Sequence, residues 1–199
     1  MSQKIINIME ITKEDSFECV MRLIREGHRP VVLDHASGTN PGGGWKPGKV
    51  GNLGTQEESL CRRSDLGLLL AKKKYPIPTD GLHYVMNVSI HSDLTGTKLV
   101  KPVKCCVIAS ELRSISERSD DYLTKRVSAL YEVALANSHD VIVLGAWGLG
   151  AFRETPEDGV KLAKCMKECA KKYNGRIKTV FALYGSKINY ETFKSVCDA

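Results

Sequence analysis

Val31–Asp65, reading VVLDHASGTNPGGGWKPGKVGNLGTQEESLCRRSD, is the stretch from which the rest of the chain can be understood. Val31, Val32 and Leu33 form an apolar run without polar alternation, as expected of a central strand covered on both faces. The run stops abruptly at a loop holding Gly38, Gly42, Gly43, Gly44, Gly48, Gly51 and Gly54. Gln56, Glu57 and Glu58 then open a helix, with Thr55 and Glu58 in the Thr-x-x-Glu spacing of a capping box. Clustered glycines let a backbone approach a ligand and turn its amides toward it. Two carboxylates at the loop's edge add acid/base chemistry, so the stretch reads as an active site on a phosphate-cradling loop.

Working outward, Lys4–Met9 (KIINIM) reads as a first strand. Thr12 and Asp15 mark a helix start, and Phe17, Val20, Met21 and Ile24 recur at helical spacing before Gly27. Beyond the glycine loop, Leu60 to Leu70 continue a helix toward Lys72, Lys73 and Lys74, where cations suit a helix C-terminus. His83–Ile90 and Leu99–Ala109 read as strands joined by a turn near Asp93–Gly96, with Pro102 predicting a late start or an edge position for the second. Leu123, Val127, Leu130, Tyr131 and Ala134 outline an amphipathic helix ending near Asn137. Val141–Leu144 is another buried strand running directly into glycines (LGAWGLGAF). Pro156, with Thr155 as cap, opens the next helix; Lys178–Tyr184 is a late strand and a short helix follows from Tyr190. Such alternation predicts a three-layer α/β/α sandwich with a central mixed or largely parallel sheet, whose ligands bind where loops leave the carboxyl ends of the strands. With 199 residues and no repeats or long linkers, one domain over 1–199 is expected.

The composition, 42% hydrophobic and 26% charged, is that of an ordinary globular protein. No apolar run approaches the roughly 18 residues of a membrane span, and the charged opening MSQKIINIMEITKED lacks the pattern of a signal peptide. A cytoplasmic or nuclear location is expected, with no membrane partner. Seven cysteines, an odd number in a chain of this size, predict reduced thiols rather than a disulfide framework. No CxxC or HExxH spacing points to a metal, and no cofactor is expected. The net charge of +6 suits an anionic partner only weakly.

Two superficial motifs fail on inspection. Gly43, Gly48 and Lys49 fit G-x-x-x-x-G-K, but Val50 stands where a magnesium-binding Ser or Thr is needed and Gly51 and Gly54 prevent an immediate helix. Gly148-x-Gly150 has Arg153 where a dinucleotide fingerprint needs its third glycine. Glu57 and Glu58 are not a conventional glycosidase pair either. Such pairs flank the bond roughly 5–9 Å apart, whereas helical neighbours point about 100° apart. A division of labour follows: one glutamate holds sugar hydroxyls while the other handles the proton. The capping pattern alone also accounts for Glu58, and it favours the ionised form where a general acid needs the protonated one. Trp147 and Phe152 are equally suited to anchoring the core and to stacking on a base or ribose.

HASGTNPGGG, QEESLCRRSDL and VIVLGAWGLGAF followed by Pro156, in that order, resemble the microbial-type poly(ADP-ribose) glycohydrolases of the macrodomain superfamily. The resemblance runs from Ile5 to Tyr184. It implies metal-free hydrolysis of the ribose–ribose O-glycosidic bond, releasing ADP-ribose. By that resemblance Glu58 is the catalytic acid/base and Glu57 holds ribose hydroxyls, with Gln56 beside it. Ser37, Asn40, Gly42, Gly43 and Gly44 would wrap the distal ribose and diphosphate. Gly145, Ala146, Trp147, Gly148, Leu149, Gly150 and Ala151 would line the diphosphate, with Phe152 against the distal ribose. The chain departs from the family pattern in three places. The spacer Trp45–Thr55, with Lys46, Pro47 and Lys49, is eleven residues and longer than the signature's. Ala109, Ser110, Glu111 and Leu112 replace a proline- and asparagine-bearing segment. The helical N-terminal extension of longer relatives has no counterpart. The expected function is therefore poly(ADP-ribose) glycohydrolase, acting as a monomer on ADP-ribose polymer, free or on ADP-ribosylated proteins. The alternatives are a hydrolase of single ADP-ribose units on an acceptor and a non-catalytic ADP-ribose reader.

Overall fold

The computed structural model describes residues 9–46 and 54–199. Its centre is a six-stranded mixed sheet in the order β1-β6-β5-β2-β4-β3. The strands are β1 (Met9–Thr12), β2 (Pro30–His35), β3 (His83–Ser92), β4 (Lys98–Ser110), β5 (Val141–Leu144) and β6 (Lys178–Ala182). All pairings are parallel except that of β3 with β4. Strand alternation divides the apolar residues between two cores. Val31, Leu33, Ile108, Ile142, Leu144 and Phe181 face one way, onto α4 (Asp120–Ala136), α5 (Glu157–Lys172) and α6 (Lys187–Asp198). Val32, Val107, Val141, Val143 and Val180 face the other, onto α1 (Ser16–Arg25), α2 (Gln56–Arg63) and α3 (Leu66–Leu70). The predicted three-layer sandwich is the observed one.

Several boundaries differ from expectation for identifiable reasons. Thr12 ends β1 rather than starting a helix, and Asp15 caps α1 by accepting from Phe17 N (2.9 Å) and Glu18 N (3.3 Å). Most of the predicted first strand, residues 4–8, lies outside the described residues. β2 continues through Asp34 and His35, both polar, because β4 pairs with it as far as His35↔Ser110. The helix expected from Leu60 to Leu70 is broken in two, since Ser64 turns extended and bridges to Ile90. β4 runs straight through Pro102: its pairing with β2 begins only at Cys106, so the first half overhangs with one side open and a missing N–H costs no bond. Pro156 caps α5 without a side-chain bond; Asp158 instead reaches back to Glu154 N (2.9 Å) and Thr155 N (3.0 Å).

All seven cysteines are free thiols. Among the described residues no helix is long and apolar enough to cross a membrane. The two helices that frame the site are tied together at Asp15, whose carboxylate also pairs with the buried Arg63 of α2. Arg63 reaches Glu18 as well (3.3 Å). Asp15→Ala removes a cap and leaves a buried guanidinium short of its partner, which costs roughly 3–5 kcal/mol. Urea unfolding is expected to show a loss of that size, and a loss under about 1 kcal/mol, the size of a cap alone, would show that the ion pair contributes nothing net.

Candidate functional site

A cleft of about 860 Å³ opens at the carboxyl ends of β2, β5 and β6, within the usual range for a small-molecule site. Its walls are the loop after β2, the first turn of α2 and the loop after β5. Ser37, Asn40, Gly43, Gly44, Gln56, Glu57, Glu58 and the run Ala146–Phe152 all line it. Gly42 and Gly145 stand behind the walls instead. A Cβ on Gly42 would strike the Trp45 indole (2.4 Å) and one on Gly145 the His35 ring (2.9 Å), so each glycine lets a bulky ring pack under its loop.

The α2 end of the site is built by hydrogen bonds across the chain. Gln56 Nε2 donates to Leu33 O (2.7 Å) and to Ser16 Oγ (3.1 Å), while its Oε1 accepts from His35 N (2.9 Å). Glu57 Oε2 accepts from Ser37 N (2.9 Å). Glu58 Oε1 accepts from Gly44 N (2.9 Å), and its Oε2 accepts from the Thr55 hydroxyl. The capping box anticipated at Thr55 is not formed, because the Thr55 hydroxyl caps no backbone N–H and donates instead to Glu58, whose carboxylate bridges its own helix end and the glycine loop. Gly43 adopts φ +61°, and a Cβ there would lie 2.8 Å from Glu58 Oε1 and 3.0 Å from Glu57 Oε2. Both carboxylates thus converge on one glycine. The glycine-loop amides expected to wrap a diphosphate are partly committed inside the protein, Gly44 N to Glu58 and Gly43 N to Asn40 O (2.9 Å).

The second loop is anchored by Trp147. Its ring is buried, its Nε1 donates to Ser110 O (2.8 Å), and the Arg126 guanidinium lies 5.4 Å from the ring centroid. Trp147 is a core anchor; only Phe152, partly exposed in the cleft, remains for stacking. The divergent Ser110–Leu112 segment joins the two loops. Glu111 Oε1 accepts from Gly38 N (2.8 Å) and pairs with Arg113 (2.7 Å), whose guanidinium lies 4.2 Å from the Phe152 ring centroid. One carboxylate therefore braces the first glycine loop against the aromatic wall of the second.

Burial dominates the electrostatics. Glu57 and Glu58 are 4% and 5% exposed. Desolvation, then the neighbouring Asp34 and Glu58 charges, push the Glu57 carboxyl well above the usual range against the pull of the Ser37 and Gly42 amides. Asp34, fully buried, is raised in the same way by desolvation and by Glu58. Desolvation pushes the His35 imidazole down to about 4, so it stays neutral.

Sequence reasoning did not single out Asp15, Ser16, His35, Leu112, Tyr184 or Asn189, which also line the cleft. Tyr184 and Asn189 follow β6, and no glycine cluster marks that segment. His35 and Asp34 carried a usable signal: two ionisable residues ending an apolar central strand.

The family model for the microbial-type PARG catalytic domain matches residues 2–94. Poly(ADP-ribose) glycohydrolase from Deinococcus radiodurans, solved with ADP-ribose, superposes with a TM-score of 0.80 at 27% identity, over 96% of this chain and 84% of that one. The enzyme from Thermomonospora curvata gives a TM-score of 0.78 at 25% identity, over 94% and 76%. Its form bound to the inhibitor ADP-HPD shares the fold at 24% identity, with a TM-score of 0.77 over 94% and 78%. A search by sequence against curated proteins gives no match. Fold and cleft are of the macrodomain-like class. Within that class the chain is similar to the microbial-type PARG catalytic domain by sequence over residues 2–94, and to the bacterial PARG structures by fold over nearly its whole length.

Two outcomes test this geometry. Gly43→Ala places a methyl against both carboxylates at a positive φ, and is expected to cost roughly 1–3 kcal/mol of stability in urea unfolding; an unchanged midpoint would show that the carboxylates give way freely. The raised Asp34 and Glu57 carboxyls share a proton in the folded chain that the unfolded chain has already released. Their stabilising contribution is complete below the ordinary carboxylate range and is lost as pH rises through the raised values. The thermal midpoint should therefore fall from mildly acid to alkaline pH more steeply in the parent than in Asp34→Asn; parallel slopes would contradict it.

Proposed function

We propose that the cleft holds a terminal ADP-ribose unit of poly(ADP-ribose) and that Glu58 carries out the hydrolysis of the ribose–ribose bond. The observation that carries this reading is the placement of the Glu58 carboxylate, which lines the cleft and is held between Gly44 N of the glycine loop and the Thr55 hydroxyl. In this role Glu58 protonates the departing ribose oxygen and then takes a proton from the attacking water, as positive charge develops on the sugar ring. Glu57, fixed on Ser37 N through one oxygen, presents acceptor capacity to the ribose hydroxyls. Gln56 keeps both at the end of β2. Phe152 gives the sugar an apolar wall, and the second loop supplies backbone groups along the diphosphate.

This arrangement favours an enzyme over a reader, because a binding site needs no buried carboxylate beside the scissile oxygen. The chain's free thiols suit a reducing compartment, and we place it in the cytoplasm as a single-domain monomer. Residues 47–53 of the long spacer, including Pro47 and Lys49, lie outside the described residues.

Incubation with poly(ADP-ribose) is expected to release ADP-ribose. Glu58→Gln should lower the rate by roughly 10²–10⁴-fold while ADP-ribose affinity changes only a few-fold. Tight binding without turnover by the parent would make the protein a reader. Turnover confined to singly ADP-ribosylated acceptors would make it a mono-ADP-ribosyl hydrolase.

A further inference from the structure

Beside the two glutamates lies a group of buried, unpartnered polar side chains that the hydrolytic roles above do not use. Asp34 sits at the end of β2 and, by strand alternation, points with Val32 and Ala36 toward α2 and α3. It is 0% exposed, and neither carboxyl oxygen has a hydrogen-bond partner. Glu57 Oε1, Trp45 Nε1 and the Tyr75 hydroxyl are likewise buried and unpartnered. The Asp34 charge acts on both Glu57 and Tyr75, so these groups lie near it. Trp45 is wedged between Gly42 and Gly67, and Cys61 Sγ would lie 3.0 Å from a Cβ on Gly42. Two adjacent carboxyls so far from solvent cannot both carry charge, because each unpaired ionised oxygen would cost several kcal/mol.

We propose that Asp34 is a positioning residue for Glu57: its carboxyl carries a proton and donates it toward Glu57 Oε1. Glu57 then keeps its other oxygen on Ser37 N and stays aimed at the substrate's hydroxyls. Asp34 itself touches no substrate. The titratable and charged groups facing it are Glu57, Glu58 and Cys61 of α2 and Tyr75 of the α3–β3 connection, with His35 adjacent in β2. Burial drives the Cys61 thiol and the Tyr75 phenol upward, and His35 titrates in the acid range. Among these groups, burial and mutual repulsion make the Asp34–Glu57 pair the carboxyls that release a proton late as pH rises. Once it is lost, two like charges face each other and Glu57 is displaced.

The test has a readout independent of function. Infrared difference spectra of the ligand-free protein across the alkaline range are expected to show a protonated-carboxyl C=O band that disappears on titration and is missing in Asp34→Asn. Calorimetry with ADP-ribose should show parent affinity weakening as pH rises above neutrality. Asp34→Asn keeps a donor that cannot titrate, so its affinity should stay flat over the same range. Asp34→Leu, folded by circular dichroism, lacks the donor and should lose roughly 5- to 100-fold in affinity at neutral pH. Absence of the band, or equal alkaline weakening in parent and Asp34→Asn, overturns the proposal. So does parent-like affinity in Asp34→Leu. The positioning role rests on the ADP-ribose reading. A parent that shows the band but binds no ADP-ribose would therefore strike that reading and the positioning role together, leaving only the shared proton.

Discussion

The Gln56 side chain is the constraint on which the site depends. β5 pairs with β2 only from Pro30 to Val32 and then departs into the second glycine loop. Leu33 O and His35 N would be left without partners on that edge, and Gln56 supplies both a donor and an acceptor to them. One amide thus replaces a missing strand, at a place where an unpaired backbone group would cost about 1–3 kcal/mol. It also fixes the first residue of α2 against the sheet. Glu57 and Glu58 follow on the same turn, so their position is set by the sheet rather than by helix propensity.

That anchoring brings acidic groups together where burial opposes it. Asp34, Glu57 and Glu58 are each at most 5% exposed. The protein offsets this with oriented amides, Ser37 N on one glutamate and Gly44 N on the other. A loop rich in glycine serves this inward purpose as much as any outward one. Gly43 is small because two carboxylates occupy the space where its side chain would be. Repulsion stored between buried acids is a familiar way to hold a proton available near neutral pH.

The Glu111–Arg113–Phe152 brace shows how a departure from the family pattern can be absorbed. Glu111 occupies a segment where the sequence resemblance predicts proline and asparagine. It neither distorts the sheet nor enters the cleft. Instead it joins Gly38 to the guanidinium stacked on Phe152. The loops it links come from strands β2 and β5, more than a hundred residues apart in the chain, so no local pattern announces the contact.

Much of the fold is legible in the sequence because it follows from local periodicity. Unbroken apolar runs at Val31–Leu33 and Val141–Leu144 mark buried strands, glycines mark the loops that leave them, and 3.6-residue spacing marks α1 and α4. The candidate site is legible as far as its motifs are contiguous: the glycine loop, Gln56-Glu57-Glu58 and the second glycine loop. What the linear chain leaves open is how those pieces meet. Thr-x-x-Glu at Thr55–Glu58 reads as a cap until the first loop folds back and offers Gly44 N to the carboxylate. Trp147 is equally a stacking platform or a core anchor until Ser110 O is placed beside its indole. Asp34 and His35 read as the start of a loop, and only the pairing of β2 with β4 draws them into the sheet and out of solvent. Local side-chain pattern determines which segments form strands and helices; the long-range hydrogen bonds that decide proton and substrate chemistry exist only once distant segments are packed together.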